Sequence, residues 1–542
     1  MGTNPNAIVD VVVQFQGEPT TEELARINEL AVGHAPRRAN LSSIHGQLYS
    51  LPAHAIAELS GNPRVVYVSP DRPVHAMADS ATDPVATRIA DSYGLDGTGL
   101  GIAVIDSGIA EPQHDLMEKT SNRSRVLYSE SFVPNTAGTQ DEYGHGTHVA
   151  GIVAGNGANS TGSQYFETFR GIAPNANLIN LRVLDAQGAG TDSAVINAIS
   201  RAIELKDQYN IRVINLSLGR PVYESYALDP LCQAVERAWK AGIVVIVAAG
   251  NGGRDNSYGN DGYGTINAPG NDPFVITVGA TKGTGTAELI TTYSSKGPSS
   301  IDHIVKPDVV APGNRIISIE ASRNAVLANF GPENLIENRL YKKVQNYGVS
   351  SDYFRLSGTS MATPMVSGAA ALMLQSDATL SPDTVKARLM KTATKTFPAF
   401  STTVDPVTGT AYTSQYDIFT VGAGYVDVAA ALNSNDNVPS NTGTLSPTAV
   451  FDPSTSTVTL TATNGPAGAA AVWGSAAVWG SAAVWGSSIF VNGSAAVWGS
   501  DTNLWGSAAV WGSAAVWGSA AVWGSATDGA TDAQSVLLRG EN

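Results

Sequence analysis

Two apolar rhythms alternate along most of this chain of 542 residues. One is a short run without polar breaks, as in "GIAVID" (101–106), "ANLINLRVL" (176–184), "RVINLSLG" (212–219), "GIVVIVAAG" (242–250) and "FVITVGA" (274–280). Short β-branched runs bounded by turn residues are the pattern of strands buried on both faces. The other is helical spacing between those runs, clearest in "TDSAVINAISRAIELKDQY" (191–209). The alternation predicts an α/β domain, doubly wound around a mostly parallel sheet, over residues 78–435. Residues 1–77 read as a separate, smaller α+β unit. "AIVDVVVQF" and "RVVYVSP" are its strands, and "TTEELARINEL" opens like a helix, with Thr ahead of acidic residues. A second short helix, "PAHAIAELSGN", ends at Gly61-Asn62, and the order fits a βαββαβ unit.

Beyond residue 435 both rhythms stop. Residues 436–470 are rich in Ser, Thr, Pro, Asn and Gly and read as a linker with one strand-like run, "STVTLTAT". From 471 to 542 the hexapeptide "AAVWGS" recurs, and every Trp of the chain except Trp239 lies there. A repeat of even length in an extended chain puts each Trp on one face. A helix gives no such alignment, and a Gly in every repeat disfavours one. Two readings stand: short strands turned at each Gly-Ser and stacked, or a low-complexity tail without fixed structure.

Charge and composition narrow the function. The net charge is -15 with a pI of about 4.9, so no basic patch offers itself to nucleic acid. Cys232 is the single cysteine, which rules out an intrachain disulfide; its setting, "DPLCQAVERAWKAG", is an amphipathic helix that would bury it. No apolar run is long enough for a membrane span. The start, "MGTNPNAIVDVVVQF", lacks the basic segment of a secretory signal.

Candidate chemistry begins at "LSGTSMATPMVSGAAALML" (356–374). Ser360 has two readings there: a helix N-cap, or a nucleophile whose oxyanion the helix start would stabilise. On the capping reading, Pro364 is tolerated because the first helical N–H groups lack partners anyway. A serine nucleophile needs a base. In "DEYGHGTHVAGIVAG" (141–155) His145 stands between two glycines where a helix should begin, with His148 one turn on. A helix start disfavours the imidazolium, which suits His145 to base catalysis. Its tautomer would need an acceptor. Asp106 closes the apolar strand "GIAVID", at the carboxyl end where α/β sheets gather functional groups. Each alone also reads as a cap, a core histidine or a turn residue.

The order Asp106, His145, Ser360 is that of subtilisin, and the wording "VIDSGI", "HGTHVAG" and "GTSMATP" closely resembles the subtilisin-like serine proteases over roughly residues 85–432. The resemblance implies a catalytic triad of those three residues, with Asn251 of "VVIVAAGNGG" in the oxyanion hole. It implies two extended substrate-binding edges, Gly188-Ala189-Gly190 and Ser217-Leu218-Gly219. The first specificity pocket would be walled by Ala248, Ala249 and Gly250, with Asn267 near its floor. These walls carry no acid, so uncharged apolar side chains are expected before the scissile bond. No metal ligand set is identified and no cofactor is required for the chemistry. The loop 156–171 replaces a segment that holds calcium in many relatives, which leaves structural calcium without mapped ligands. Residues 322–354 form a long stretch ahead of the nucleophile, with the length of a flap.

By the same resemblance, residues 1–77 are an inhibitor-type propeptide that assists folding and occupies the cleft. Self-processing is expected between about Pro73 and Ser80, after Met77 and before Ala78. The expected function is a secreted serine endopeptidase, made as a zymogen and acting on protein or peptide substrates. Two alternatives are weighed: a sedolisin-type acid peptidase, which would carry Glu where this chain has His145, and a surface-associated adhesive protein with a vestigial protease domain. The tail is expected to pack on the catalytic domain or bind an external surface. It is also expected to be dispensable, a chain ending near Ser434 keeping its activity on small peptides.

Overall fold

The computed structural model describes residues 6–30, 37–59, 61–76, 92–121, 123–257, 259–283, 288–343, 348–405, 408–438, 445–452, 457–461 and 541. Met77, Ala78 and the Trp-Gly-Ser repeats lie outside these residues. Among the described residues no helix is long and apolar enough to cross a membrane.

The N-terminal unit has the predicted order: β1 (Ile8–Phe15), α1 (Thr21–Leu30), β2 (Arg37–Leu41), β3 (Gly46–Pro52), α2 (Ala53–Leu59) and β4 (Val65–Pro70). Its strands form an antiparallel sheet ordered β2-β3-β1-β4. A capping box starts α1: the Thr20 hydroxyl accepts from the Glu23 N–H and the Glu23 carboxylate from the Thr20 N–H. Alternation along β1 explains its unbroken apolar run. Val11, Val13 and Phe15 pack with Ile27, Tyr49 and Leu59 inside the unit. Val12 joins Ile44 and Leu48 in the core of the domain that follows. Both faces of this small sheet are therefore covered, one by its own helices and one by the large domain.

After β5 (Pro73–Ala76), the large domain runs through β6 (Gly101–Asp106), β7 (Val126–Ser131), α3 (His145–Ala154), β8 (Asn177–Arg182), β9 (Ala189–Thr191), α4 (Asp192–Glu204), β10 (Ile211–Leu216), β11 (Leu218–Gly219), α5 (Pro230–Lys240), β12 (Val244–Ala248) and β13 (Ile276–Gly283). It continues with β14 (Glu288–Ile290), β15 (Val309–Pro312), β16 (Ile316–Ile319), β17 (Leu335–Glu337), β18 (Val349–Leu356) and α6 (Thr359–Ser376). The main sheet is ordered β14-β13-β12-β10-β6-β8-β7, with β15 also on β13. Its pairings are parallel apart from β13 with β14. Every residue of β6 and β12 is buried, as expected where helices cover both faces. Helix α6 packs on α3 and across β10, β12 and β13, while α4 packs on α5. The apolar run 212–219 is not one strand. It leaves the main sheet at Ser217, and Leu218-Gly219 pairs instead with β5.

The stretch 322–354 does not hang free. Its strands β17 and β18 form a sheet ordered β16-β18-β17. The Val326 and Leu327 N–H groups donate to the carbonyls of Glu142 and Tyr143, just ahead of His145. Tyr341 and Tyr353 meet Tyr165 and Phe169 of the 156–171 loop, with the Phe169 and Tyr353 rings 4.8 Å apart. Both departures from the family pattern thus pack on each other.

Of residues 436–470, expected as a linker, several of the described ones pack into the large domain. Val438, Ser446 and Ala449 are buried. Thr448–Asp452 and Thr457–Thr461 form an antiparallel hairpin, its second strand falling in "STVTLTAT". Ser446 donates its hydroxyl to Asp308, a buried carboxylate that also pairs with Lys306 (2.7 Å) and Lys386 (3.3 Å). Burial pushes the Lys386 pKa down to about 7, against the pull of Asp308. A chain cut at Ser434 would leave this cluster short of a partner. Ser446→Ala should therefore lower unfolding stability by about 1–3 kcal/mol, the usual loss for a hydrogen bond to a buried charge. Urea titration in a Ser360→Ala background, free of self-digestion, measures it; a change below about 0.5 kcal/mol would contradict the assignment.

Candidate active site

Strand β6 is apolar until its last residue, so Asp106 is delivered to the carboxyl edge of the sheet. There its Oδ1 lies 2.6 Å from His145 Nδ1 and accepts the Ser107 N–H at 2.7 Å, and both Asp106 and His145 are buried. The bond fixes Nδ1 as the protonated nitrogen and leaves Nε2 as the basic one. His145 Nε2 has no hydrogen-bond partner here. Helix α3 can come this close because residue 146 is glycine: a Cβ there would fall on the Gly108 carbonyl oxygen.

Asp141 holds the approach together, and the sequence reading overlooked it. Its carboxylate accepts from the Gly144 N–H (2.7 Å), the Thr147 N–H (2.8 Å) and the Ser107 hydroxyl (2.8 Å). The Ser107 hydroxyl in turn accepts from the Gly146 N–H at 2.9 Å. Strand end and helix start are thus tied through one buried acid, whose pKa burial raises despite these donors. An Asp shortly before a helix start was the available signal. His148 serves structure rather than chemistry: its Nε2 lies 3.0 and 3.2 Å from the carbonyls of Ile316 and Phe354, and burial lowers its pKa to about 3.

Ser360 is not the helix cap. Helix α6 begins at Thr359, and the cap position is Gly358, with φ 145°. Pro364 lies in the second turn, beyond the N–H groups that lack partners, so the Ser360 carbonyl loses its helical donor. The Ser217 hydroxyl replaces that donor at 2.8 Å. The Ser360 hydroxyl returns a bond to the Ser217 carbonyl at 2.9 Å. Asn215 Nδ2 donates to the Ser217 hydroxyl (2.9 Å), and Ser367 donates to Asn215 Oδ1 (2.8 Å).

Asn251 follows the C-terminal end of β12, and its Oδ1 accepts from the Thr359 N–H and hydroxyl, both at 3.1 Å. With its carbonyl end committed beside the nucleophile, the amide NH₂ is the end left to meet a ligand oxygen. The Asn267 N–H donates to the Ala249 carbonyl, and its side chain lies against Gly250. Ala248 and Ala249 are buried behind them. Of the two expected edges, Ala189-Gly190 and Leu218-Gly219 are strand residues, and another strand runs between them. Strand β5 pairs antiparallel with β9, Val74 with Gly190 and His75 with Ala189. It pairs antiparallel also with β11, His75 with Gly219 and Ala76 with Leu218. Gly188 has φ 74°, and a side chain there would strike the Tyr143 ring.

Cys232 is buried, with Sγ 3.4 Å from Asn271 Oδ1, and burial raises its pKa far above the usual range. Among the described residues no group of three or more His, Cys, Asp or Glu side chains is placed to hold a metal. Asp115, beside the 156–171 loop, has its oxygens engaged by the Asn159 N–H (2.8 Å) and the Tyr353 hydroxyl (2.7 Å).

A parallel α/β sheet with a carboxylate-held imidazole and a serine at a helix start defines a serine peptidase of the hydrolase class. The model of the subtilase family matches residues 97–447. This chain belongs to that family. The serine protease AprX of Bacillus subtilis (strain 168) is 38% identical over 352 residues, covering 63% of this chain and 71% of that protein. Subtilisin E of the same strain is 35% identical over 349 residues, covering 64% and 74%. Fervidolysin from Fervidobacterium pennivorans, a keratinolytic enzyme related to subtilisin, superposes with a TM-score of 0.58 at 20% identity, over 80% of this chain and 62% of its own. That similarity speaks for the fold. The chain is thus a subtilisin-like serine endopeptidase, and neither the acid-peptidase nor the adhesive alternative is favoured.

The exchange between Ser217 and Ser360 yields a test. Ser217→Ala should strand the Ser360 carbonyl and cost about 1–3 kcal/mol. Pro364→Ala restores an N–H to that carbonyl, so the same change should cost about 1 kcal/mol less in its presence. A double-mutant cycle of unfolding energies measures the coupling. Equal costs in both backgrounds would show that Ser217 does not replace the donor that Pro364 lacks.

Proposed function

We propose that this protein is a secreted endopeptidase made as a self-processing zymogen, with Asp106, His145 and Ser360 as its triad. The observation that carries the zymogen reading is β5, seated between β9 and β11 as a substrate backbone would be. Antiparallel register bears on the bond to be cut. His75 faces Gly219 and Ala76 faces Leu218, which supports a cut just beyond this strand. The Ser217 carbonyl is the group that now receives the Ser360 hydroxyl. On this reading Met77–Ala78 is the scissile bond, and an uncharged side chain ahead of it suits the pocket of Ala248, Ala249, Gly250 and Asn267.

The chemistry follows from the groups present. The Ser360 hydroxyl turns from the Ser217 carbonyl to His145 Nε2, which takes its proton as Oγ attacks the carbonyl carbon. Negative charge on the carbonyl oxygen is met by the Asn251 NH₂ and the Ser360 N–H at the start of α6. His145 gives its proton to the leaving amine, and a water attacks the acyl-enzyme by the reverse path. Asp106 stabilises the imidazolium throughout.

After the cut the N-terminal unit would remain as an inhibitor, held by more than β5. Asp71 accepts from the Ser193 N–H (2.8 Å) and hydroxyl (2.6 Å) in the first turn of α4. Arg72 forms a buried pair with Glu224, beside Arg220, which pairs with Asp192 (2.9 Å) and Asp229 (2.8 Å). The repeat tail is assigned a role in surface binding.

Ser360→Ala should give a folded, uncut chain, whereas the active chain should show a new N-terminus at Ala78 on terminal sequencing. Cleavage of purified Ser360→Ala, or a different first residue, would overturn the self-processing assignment. Arg72→Ala leaves Glu224 unpaired in a buried site, a loss of about 3–5 kcal/mol for such pairs. It should shorten the lag between cleavage and full activity in a progress curve with a chromogenic peptide. An unchanged lag would remove Arg72 from the inhibitory contact.

A further inference from the structure

Glu541 lies far along the chain from the catalytic residues, yet its side chain is fully buried in the large domain. Its Oε1 accepts from Arg254 Nη2 at 2.9 Å, from the Thr292 N–H at 2.8 Å and from the Thr292 hydroxyl. Its Oε2 lies 3.1 Å from Lys282 Nζ. Asn314 grips the backbone of the same residue: its Nδ2 donates to the Glu541 carbonyl, and its Oδ1 accepts the Glu541 N–H, each at 3.1 Å. Arg254 and Lys282 are themselves 5% and 8% exposed. Two buried cations, an N–H and a hydroxyl aimed at one carboxylate make a built anion site, because buried charge is tolerable only when it is paired and bonded.

The walls of this notch lead to the oxyanion hole. Arg254 is three residues past Asn251 on the same loop. That loop is zipped to Thr292–Ser295: the Gly253 N–H donates to the Tyr293 carbonyl (2.8 Å), the Gly252 N–H to the Ser295 hydroxyl (3.0 Å) and Arg254 Nε to the Thr292 hydroxyl (2.8 Å). Asn314 follows Gly313, whose carbonyl accepts the Gly358 N–H at 2.7 Å, two residues before Ser360. Asp405 is a second partner of Arg254 at 2.7 Å.

We propose that this notch is a docking site for the glutamate-bearing end of the repeat tail, and that docked Glu541 braces the loop carrying Asn251. The tail is then tied to the catalytic domain at both ends, through the hairpin ending at Thr461 and through Glu541. Its far end is not dispensable for turnover, contrary to the expectation from sequence. Glu541 is a positioning residue, acting through Arg254 and Thr292 on Asn251.

The test uses the full chain. In a Ser360→Ala background, hydrogen exchange followed by mass spectrometry should show the Thr292 amide exchanging at least about tenfold faster once Glu541→Ala is added. Amides of the buried strand β6, away from this loop, should stay protected and so report that the domain remains folded. In the active enzyme, Glu541→Ala should lower kcat on a soluble tripeptide by at least about fivefold with KM within about twofold, because an oxyanion donor acts in the transition state. Unchanged Thr292 exchange would overturn the docking. Faster Thr292 exchange with an unchanged kcat would overturn the bracing of Asn251.

Discussion

The molecule depends on one close approach, that of the start of α3 to the end of β6. Two polar side chains, Asp106 and His145, are buried there, and burial is affordable only because they bond to each other at 2.6 Å. That distance in turn requires backbone contact between Gly146 and Gly108, which a single Cβ would prevent. Asp141 and Ser107 then lock the two elements with hydrogen bonds to N–H groups that a helix start would otherwise leave unpaired. Reactive geometry and local folding are here the same set of bonds.

Ser360 is held by a second compensation. A proline in the second turn of α6 removes a helical donor, and Ser217 supplies another from the strand edge that would bind substrate. The substrate edge and the nucleophile helix therefore cannot move independently. The Ser360 hydroxyl donates to the Ser217 carbonyl, next to the residues of β11 that pair with β5. Occupation by the N-terminal segment extends the same logic to the whole N-terminal unit. Its sheet has one face against the large domain, and Asp71 and Arg72 fasten the join at the first turn of α4 and at Glu224.

Around this centre, departures from the family pattern cross-brace one another. The loop 156–171 and the stretch 322–354 meet through Tyr165, Phe169, Tyr341 and Tyr353. Aromatic packing and the Tyr353 hydroxyl on Asp115 join them. On the far side, Ser446 and Glu541 bring later parts of the chain onto the buried charges Asp308, Arg254 and Lys282. A domain boundary drawn from composition near residue 435 misses this, since Ser, Thr and Pro content says nothing about a hydroxyl donated to a buried carboxylate.

Sequence alone determined the main buried strands and their order. The strands at 101–106 and 176–184 are legible because a buried parallel strand must be apolar on both faces. The positions of Asp106, His145 and Ser360 are legible because each sits where an element ends or begins. The edges at 188–190 and 217–219 came from the family likeness; in the structure Ala189-Gly190 and Leu218-Gly219 pair with β5 between them, while Gly188 turns at φ 74° and Ser217 lies outside both strands. What the sequence could not decide were partners across long separations. Nothing local marks Ser217 as the donor that Pro364 removes, and nothing in an isolated Glu541 announces Arg254 and Lys282. Hydrogen bonds and ion pairs between distant residues leave no periodicity to read, because only the folded chain brings donor and acceptor within 3 Å or so of each other.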